Sequence, residues 1–539
     1  MSESNDNGNV AGVSTPGWEV EIPIEELDRS CQAPIMLMLW KAAGWLFLGA
    51  CFALLNSVRF HAPDLLAHCP WLSYGRIAPA ASVAFVYGFA LQAALAVALW
   101  LIVRLGKRTL AEPGYALLGA GFWNLGVLIG FVGILAGDNT GYALFELPKY
   151  AVPILYVAYL VLAGLGLTTF LRRQVRELYV SQWFLLAALV WFPWILATAS
   201  LLLQHFPVRG VTQIAIAGWY ATGLSNIVLG GIALATIFYL IPKLLKRPLH
   251  SEGMAIFAFW LFIFFGSGAG VLSGSTVPAW VSSLSAVFAF FTCLAGVLVG
   301  LNLFHTIGGD WNKLLGSDLR FVSLGTVAFI ASVILGALNA HSSIAEITQF
   351  TLVLPALQQL ALGGFVMMTL IGGAYYLLQN IGGSEEGNGL VGLHFWVALV
   401  GVGLTVAVLG LGGLIQGQTM ADASIPFNAV TKSALNFLRM ETVGSLFLFA
   451  GSVLFLVNVG RIGLKTLCCC PCGWLSVGGD VTDEYESEED GEDGEDEEDS
   501  DSVASSETKK AAKKVTRKKV ASKKKAASKK KSAKKAAKK

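Results

Sequence analysis

The 539-residue chain is 55% hydrophobic and only 14% charged, with a mean hydropathy of +0.63, whereas soluble globular domains carry about 25% charged residues. That balance excludes an ordinary water-soluble enzyme. The formal net charge of +2 describes no real surface, because the lysines and acidic residues concentrate after Cys472.

Residues 1–34 form an N-terminal segment in which Glu19, Glu21, Glu25, Glu26 and Asp28 give the first apolar run an acidic flank. A cleavable signal has a basic flank, so this run is expected to stay as a membrane anchor. A bilayer core of ~30 Å needs about 20 mostly apolar residues per helix, and residues 35–462 offer about twelve such runs. They are Ile35 to Leu55, Pro79 to Val103, Tyr115 to Gly137, Tyr150 to Leu171, Trp183 to Leu203 and Gly218 to Ile241, followed by Met254 to Leu272, Trp280 to Leu303, Phe321 to Leu338, Phe350 to Leu378, Leu390 to Ile415 and Val443 to Val459. The expected fold is therefore all-α and polytopic.

Basic residues gather in alternate loops: Arg104, Lys107 and Arg108, then Arg172, Arg173 and Arg176, then Lys243, Lys246 and Arg247, then Lys313 and Arg320, and finally Arg461 and Lys465. The positive-inside rule puts these loops and both termini in the cytoplasm. Residues 463–479 carry the cluster Cys468-Cys469-Cys470-Pro471-Cys472, whose juxtamembrane place suits lipidation, a metal, or neither. Residues 480–539 run from an acidic block into Ala/Ser/Lys repeats. Such a tail cannot bury a core and is expected to be disordered, with the lysines free to meet anionic lipid or nucleic acid.

Polar groups inside lipid are costly and usually face the bundle interior. The candidates are Asn124, Thr222, Ser225, Asn226, Asn302, His305, Gln358, Gln359, His394, Gln416 and Asn458, with almost no carboxylate or amine at mid-depth. Hydrogen bonding between helices accounts for most residues of this kind. Asn226, Asn302 and Gln358 are also possible contacts for a quinone or another small molecule. Seven histidines are present. By the topology above His61, His68, His205 and His341 lie on the outer side, close enough in depth to meet around a metal, while His250, His305 and His394 lie toward the cytoplasm. No Cys-x-x-Cys-His occurs, which excludes c-type haem attachment by that signature.

Several short motifs recur in a set order: Ser73-Tyr74-Gly75-Arg76, Tyr239-Leu240-Ile241-Pro242-Lys243 with Arg247-Pro248, Val277-Pro278-Ala279-Trp280, and Trp311-x-Lys313-Leu314 with Asp318-Leu319-Arg320-Phe321. Then come His394-Phe395-Trp396, Gly413-x-Ile415-Gln416-Gly417, and Arg439 with Asn458. In these the chain, from about Tyr74 to Arg461, resembles subunit I of the cbb3-type cytochrome c oxidases of the haem–copper superfamily. The resemblance implies the twelve-helix arrangement of that subunit, two b-type haems and a copper ion as the family's cofactors, and other respiratory subunits and cytochrome c as partners in a bacterial inner membrane.

It also implies where the family's ligands would fall. The histidine after Tyr-Gly-Arg falls on Ala81. The copper ligand of the sixth helix falls on Ser225, within Leu224-Ser225-Asn226. The Gly-Pro-His-His run falls on Gly268-Ala269-Gly270-Val271, so its two histidines become Gly270 and Val271. The His-x-His pair of the tenth helix falls on Ala356 and Gln358, and the redox-active tyrosine on Phe264. Alanine, glycine, valine and serine do not bind haem iron, so no catalytic, cofactor or metal residue is expected, and chemistry follows ligands rather than fold. Small residues at Gly268, Gly270, Gly274, Ala356 and Gly363 would let helices close over the porphyrin space; otherwise a lipid or quinone would fill it. Three readings stay open: a haem-free subunit or assembly partner of a respiratory complex, a working oxidase subunit with atypical ligands, and a channel, carrier or quinone-binding protein using the emptied space.

Overall fold

The computed structural model describes residues 22–271, 276–316, 319–382 and 389–469, all within one unit, Met1–Gly479. Residues 1–21, the segment from Cys470 to residue 479, the tail 480–539, Gly274 and Asp318 lie outside the described residues. Twelve apolar helices follow one another in the described chain: α1 (Ile24–Val58), α2 (Tyr74–Gly106), α3 (Pro113–Ala136), α4 (Val152–Leu171), α5 (Val180–His205), α6 (Val211–Leu245), α7 (Glu252–Gly266), α8 (Ala279–Ile307), α9 (Arg320–Ala340), α10 (Val353–Ile381), α11 (Gly389–Ala421) and α12 (Phe427–Gly463). Each overlaps one of the expected apolar runs. This is a multi-span membrane protein, with phenylalanine, leucine and tryptophan such as Phe122, Trp194, Phe257, Phe290 and Leu411 exposed on its flanks, the arrangement a surface facing hydrocarbon requires.

Several helices run past their apolar core because charged residues in the extra turns are paired. Asp28 extends α1 eleven residues before Ile35. Arg104 of α2 grips its carboxylate through Nε (2.7 Å) and Nη2 (2.6 Å), and Trp100 Nε1 donates to the same group at 3.0 Å. At the other end of α1, Ser57 Oγ donates to Glu441 of α12 at 2.8 Å and Arg439 Nε to the Phe60 carbonyl at 2.8 Å, so α12 begins at Phe427 rather than Val443. Hydropathy alone reads such turns as loop.

The reverse holds for α7. Its 15 residues span only ~22 Å at ~1.5 Å per residue, and it stops at Gly266 instead of reaching Leu272. Gly270 takes φ +130°, a conformation that favours glycine. Ser285 of α8 then holds the turn: its Oγ accepts from the amides of Gly270 and Val271 and donates to the Gly268 carbonyl, each at 3.0 Å.

Burial separates the helices into a centre and a ring. The most apolar 18-residue stretch is 100% buried in α2, 89% in α6 and 83% in α10, and at most 50% in the other long helices. Small residues permit this. A Cβ on Gly373 of α10 would touch both Thr236 of α6 (3.2 Å) and Val97 of α2 (3.4 Å), so the three central helices meet there. The Gly413-x-Ile415-Gln416-Gly417 motif serves the same end: Gly413 and Gly417 admit the backbone of Val353 and Ile347, and Gln416 Oε1 accepts the Leu352 amide at 3.1 Å. Arg247 donates to the Ile307 carbonyl at 2.8 Å and pairs with Asp310 at 3.0 Å, which Lys313 also reaches at 2.9 Å.

All three central helices contain a π-helical stretch: Ala84–Ala90 in α2, Gly223–Gly230 in α6 and Gln359–Met367 in α10. The Leu91 amide, for example, donates to the Val86 carbonyl five residues back. Wide turns of this kind are rare and cluster at functional sites.

Breaking a buried ion pair by removing one partner costs about 3–5 kcal/mol. Asp28→Ala is accordingly expected to lower the thermal midpoint of the detergent-solubilised protein sharply, while Arg29→Ala one position along leaves it nearly unchanged; scanning calorimetry of both variants checks this.

Candidate functional site: two cavities in the bundle

The π-helical stretches border two internal spaces. The first, about 360 Å³, lies between α6, α8, α9 and α10 and the turn after α7. Its wall includes Thr222, Ser225, Asn226, Gly270, Val271, Thr292, Asn339 and Gln358. The second, about 470 Å³, lies between α1, α2, α10, α11 and α12 and is walled by residues including Asn56, Ala81, Ser82, Gln358, Gln359, His394, Glu441 and Gly451. Both fall in the ~300–1,000 Å³ range of small-molecule sites. Gln358 and Leu362 of α10 and Leu144 of the α3–α4 connection border both.

Most of the positions singled out in the sequence are thereby brought together. Ser225, Gly270, Val271 and Gln358 share the first cavity, and Ala81 shares the second with Gln358. Three of the positions lie elsewhere. Ala356 is buried but lines neither cavity; it faces α11, where a Cβ on Gly410 would lie 3.9 Å from its own. Phe264 is 66% exposed and stacked on Trp260 at 5.6 Å on the outward side of α7, because successive helical residues turn by ~100°. Asn302 lines neither cavity: its amide is spent on Ser251, accepting from its N–H (3.1 Å) and donating to its carbonyl (2.7 Å), which fastens the start of α7 to α8.

Closure over the central space is also corrected. Gly268 packs on Phe288 of α8 and Gly270 on Thr222 of α6, while Gly363 meets only Gln359 of its own helix, and both cavities persist. Close approach at single glycines draws backbones together locally, while the alanines and serines between them leave too little side-chain volume to fill the gap.

The polar groups of the first cavity are mostly committed to their own helices: Thr222 Oγ1 donates to the Gly218 carbonyl and Ser225 Oγ to that of Ala221, both at 2.8 Å, and Asn226 Nδ2 donates to the Gly266 carbonyl at 2.9 Å. The second holds His394, only 1% exposed. Asn458 Nδ2 donates to the Tyr375 hydroxyl at 2.9 Å, and that hydroxyl lies 2.7 Å from His394 Nδ1. The Tyr375 hydroxyl thus meets both Asn458 and the imidazole and ties α10 to α11 and α12. The Nε2–Cδ2 edge faces Gly451, whose Cβ would lie 3.7 and 3.6 Å away.

Elsewhere the histidines divide. His61 binds the Arg439 carbonyl (3.2 Å) and Thr442 (3.0 Å), and His205 binds Ser200, so the outer histidines do not gather. Among the described residues no group of three or more His, Cys, Asp or Glu is placed to hold a metal. His250 and His305, 55 positions apart in sequence, stack at 4.7 Å; no spacing rule reveals such a pair.

Residues 33–447 match the family described as Cytochrome C and Quinol oxidase polypeptide I. The chain belongs to this oxidase subunit I family. It is 26% identical over 450 residues to the cbb3-type cytochrome c oxidase subunit CcoN1 of Stutzerimonas stutzeri, covering 80% of this chain and 93% of that one. It is 25% identical over 449 residues to a cytochrome c oxidase subunit 1 homologue, bacteroid, of Bradyrhizobium diazoefficiens, covering 78% of each. Its fold matches a cryo-EM structure of a heme-copper terminal oxidase dimer with a TM-score of 0.58 at 15% identity, over 80% of this chain and 84% of that one.

Haem iron and copper take imidazole, thiolate or thioether ligands. Among the described residues the wall of this subunit I's first cavity contains no imidazole, thiol, thioether or carboxylate, and the second offers one imidazole, His394, and one thioether, Met367.

Beside both cavities, in the α3–α4 connection, Glu146 accepts from the Leu144 amide at 3.2 Å. Burial raises its carboxyl to about 7 in spite of backbone hydrogen bonds and a nearby Ser82 hydroxyl that lower it. A carboxyl raised on folding stabilises the fold fully below its unfolded value of ~4.3, and that contribution is lost as pH rises through the folded value. Thermal midpoints are thus expected to fall between about pH 4.5 and pH 7, and Glu146→Gln to flatten that slope and raise the midpoint at pH 8.

Proposed function

We propose that this chain is a haem-free, non-catalytic member of the oxidase subunit I family that serves as a structural or assembly subunit of a respiratory electron-transfer complex in a bacterial inner membrane. The observation that carries the reading is the chemistry of the two cavities, whose walls offer methyl, hydroxyl, amide and glycine surfaces where the family resemblance puts haem and copper ligands, at Ala81, Ser225, Gly270, Val271 and Gln358. Oxygen reduction needs those ligands, and a fold without them keeps only its surfaces. Its partners are other respiratory subunits, with cytochrome c among them, and both termini face the cytoplasm by the charge rule. The acidic and lysine-rich tail adds a contact to anionic lipid or nucleic acid.

The detergent-extracted protein is expected to show no Soret band, and gentle affinity capture from its native membrane to recover respiratory subunits; a Soret band at stoichiometric strength overturns the reading and restores the alternative of an oxidase with atypical ligands.

That both cavities stay open favours a second reading, a carrier or channel for a small neutral molecule. Liposomes containing the protein are then expected to take up such a molecule faster than empty ones, and the double variant Ser225→Leu, Gln358→Leu to remove the difference. Equal flux with and without protein eliminates it.

A further inference from the structure

One residue of the α3–α4 connection stands between the two cavities. Leu144, 5% exposed, borders both, together with Gln358 and Leu362 of α10. We infer that the two cavities are chambers of one path for a small neutral molecule and that Leu144 is the movable partition between them. The inference deepens the carrier reading, on which the use of the path in transport rests.

Leu144 takes φ +59°, a left-handed conformation that is unfavourable for leucine and persists only where neighbours enforce it. Two side chains do so. Tyr87 of α2 donates its hydroxyl proton to the Leu144 carbonyl at 2.8 Å, and the Leu144 amide donates to Glu146 Oε1 at 3.2 Å. The Tyr87 hydroxyl also lies 2.5 Å from that of Tyr220 of α6. The turn is thus latched to two of the central helices, within the π-helical stretch of α2 and just ahead of that of α6.

The base of this loop is closed by other bonds. Thr140 Oγ1 donates to the Phe145 carbonyl and the Thr140 amide to that of Glu146 at 3.4 Å, while Phe145, fully buried, meets Tyr220 edge-on at 4.9 Å. Residues 141–144 form the tip, where Gly141 has φ +74° and open space about it. Releasing the Tyr87 hydrogen bond therefore frees the tip while its base stays fixed, and relief of the left-handed backbone favours the movement. Two leucines and one amide make up the shared border. An ion crossing it would lose hydration without compensation, so the path selects a neutral molecule.

The double variant Ala81→Cys, Ser225→Cys puts one thiol in each cavity. It is treated with pentanediyl bismethanethiosulfonate, a neutral flexible reagent that joins two thiols, and the linked peptides are quantified by mass spectrometry, which separates them from products at the native cysteines. Adding Tyr87→Phe keeps the partition and removes its latch, and is expected to speed linking about tenfold, the effect of one lost hydrogen bond to a buried group. Adding Leu144→Gly is expected to speed it further, because glycine keeps the left-handed turn and both backbone hydrogen bonds while removing the side chain. Leu144→Trp is expected to stop it. Glycerol uptake by liposomes is measured with the same substitutions at position 144. Linking that follows residue 144 supports the path, and if no uptake accompanies it, the carrier reading alone is lost. Equal linking in the wild-type, Leu144→Gly and Leu144→Trp backgrounds, or no linking in any of them, overturns the inference, and uptake that ignores residue 144 does so while the carrier reading stands.

Discussion

An amide that enters hydrocarbon must find its carbonyl partner inside its own helix or from a close neighbour, and the rest of this molecule follows from how its three central helices meet that demand. In α2, α6 and α10 the ladder widens into π turns and stays bonded, as between Leu91 and Val86. The helices therefore remain continuous through the centre while their side chains stand at altered angles. Beside these stretches two spaces remain, walled in good part by alanine, serine and glycine.

Polar side chains obey the same constraint. Asn302, Gln416 and Asn458 make hydrogen bonds that fasten one helix to another or orient a third group, and Asp28 is neutralised by a forked arginine. His394 differs: one nitrogen is fixed by the Asn458–Tyr375 chain and the other is left facing a cavity. The orientation of this imidazole is thus set by neighbours from two other helices.

Membership of the oxidase subunit I family and the chemistry of the cavity walls are separate facts. The family match extends over most of the chain, because apolar periodicity, helix-packing glycines and the charged loop contacts of Arg247 with Asp310 are properties of the scaffold. The walls are set by a handful of side chains that the scaffold does not need, so they can change without loss of the bundle.

Composition and periodicity alone established an all-helical membrane protein and the approximate place of its apolar helices, eleven of them among the described residues long enough to span a membrane, since a run of about 20 apolar residues has few other stable states. The order of short motifs carried the family resemblance, and with it the grouping of Ser225, Gly270, Val271 and Gln358. Only the tertiary structure decided helix ends, because pairing by partners distant in sequence lets Asp28 and Glu441 lie within helices, and a glycine turn held by Ser285 shortens α7. It also decided which faces turn inward, taking Phe264, Ala356 and Asn302 away from the cavities and bringing His394 to one of them. Rotation about a helix axis and the orientation of a buried imidazole depend on neighbours from other helices, and a linear sequence does not say which neighbours those are.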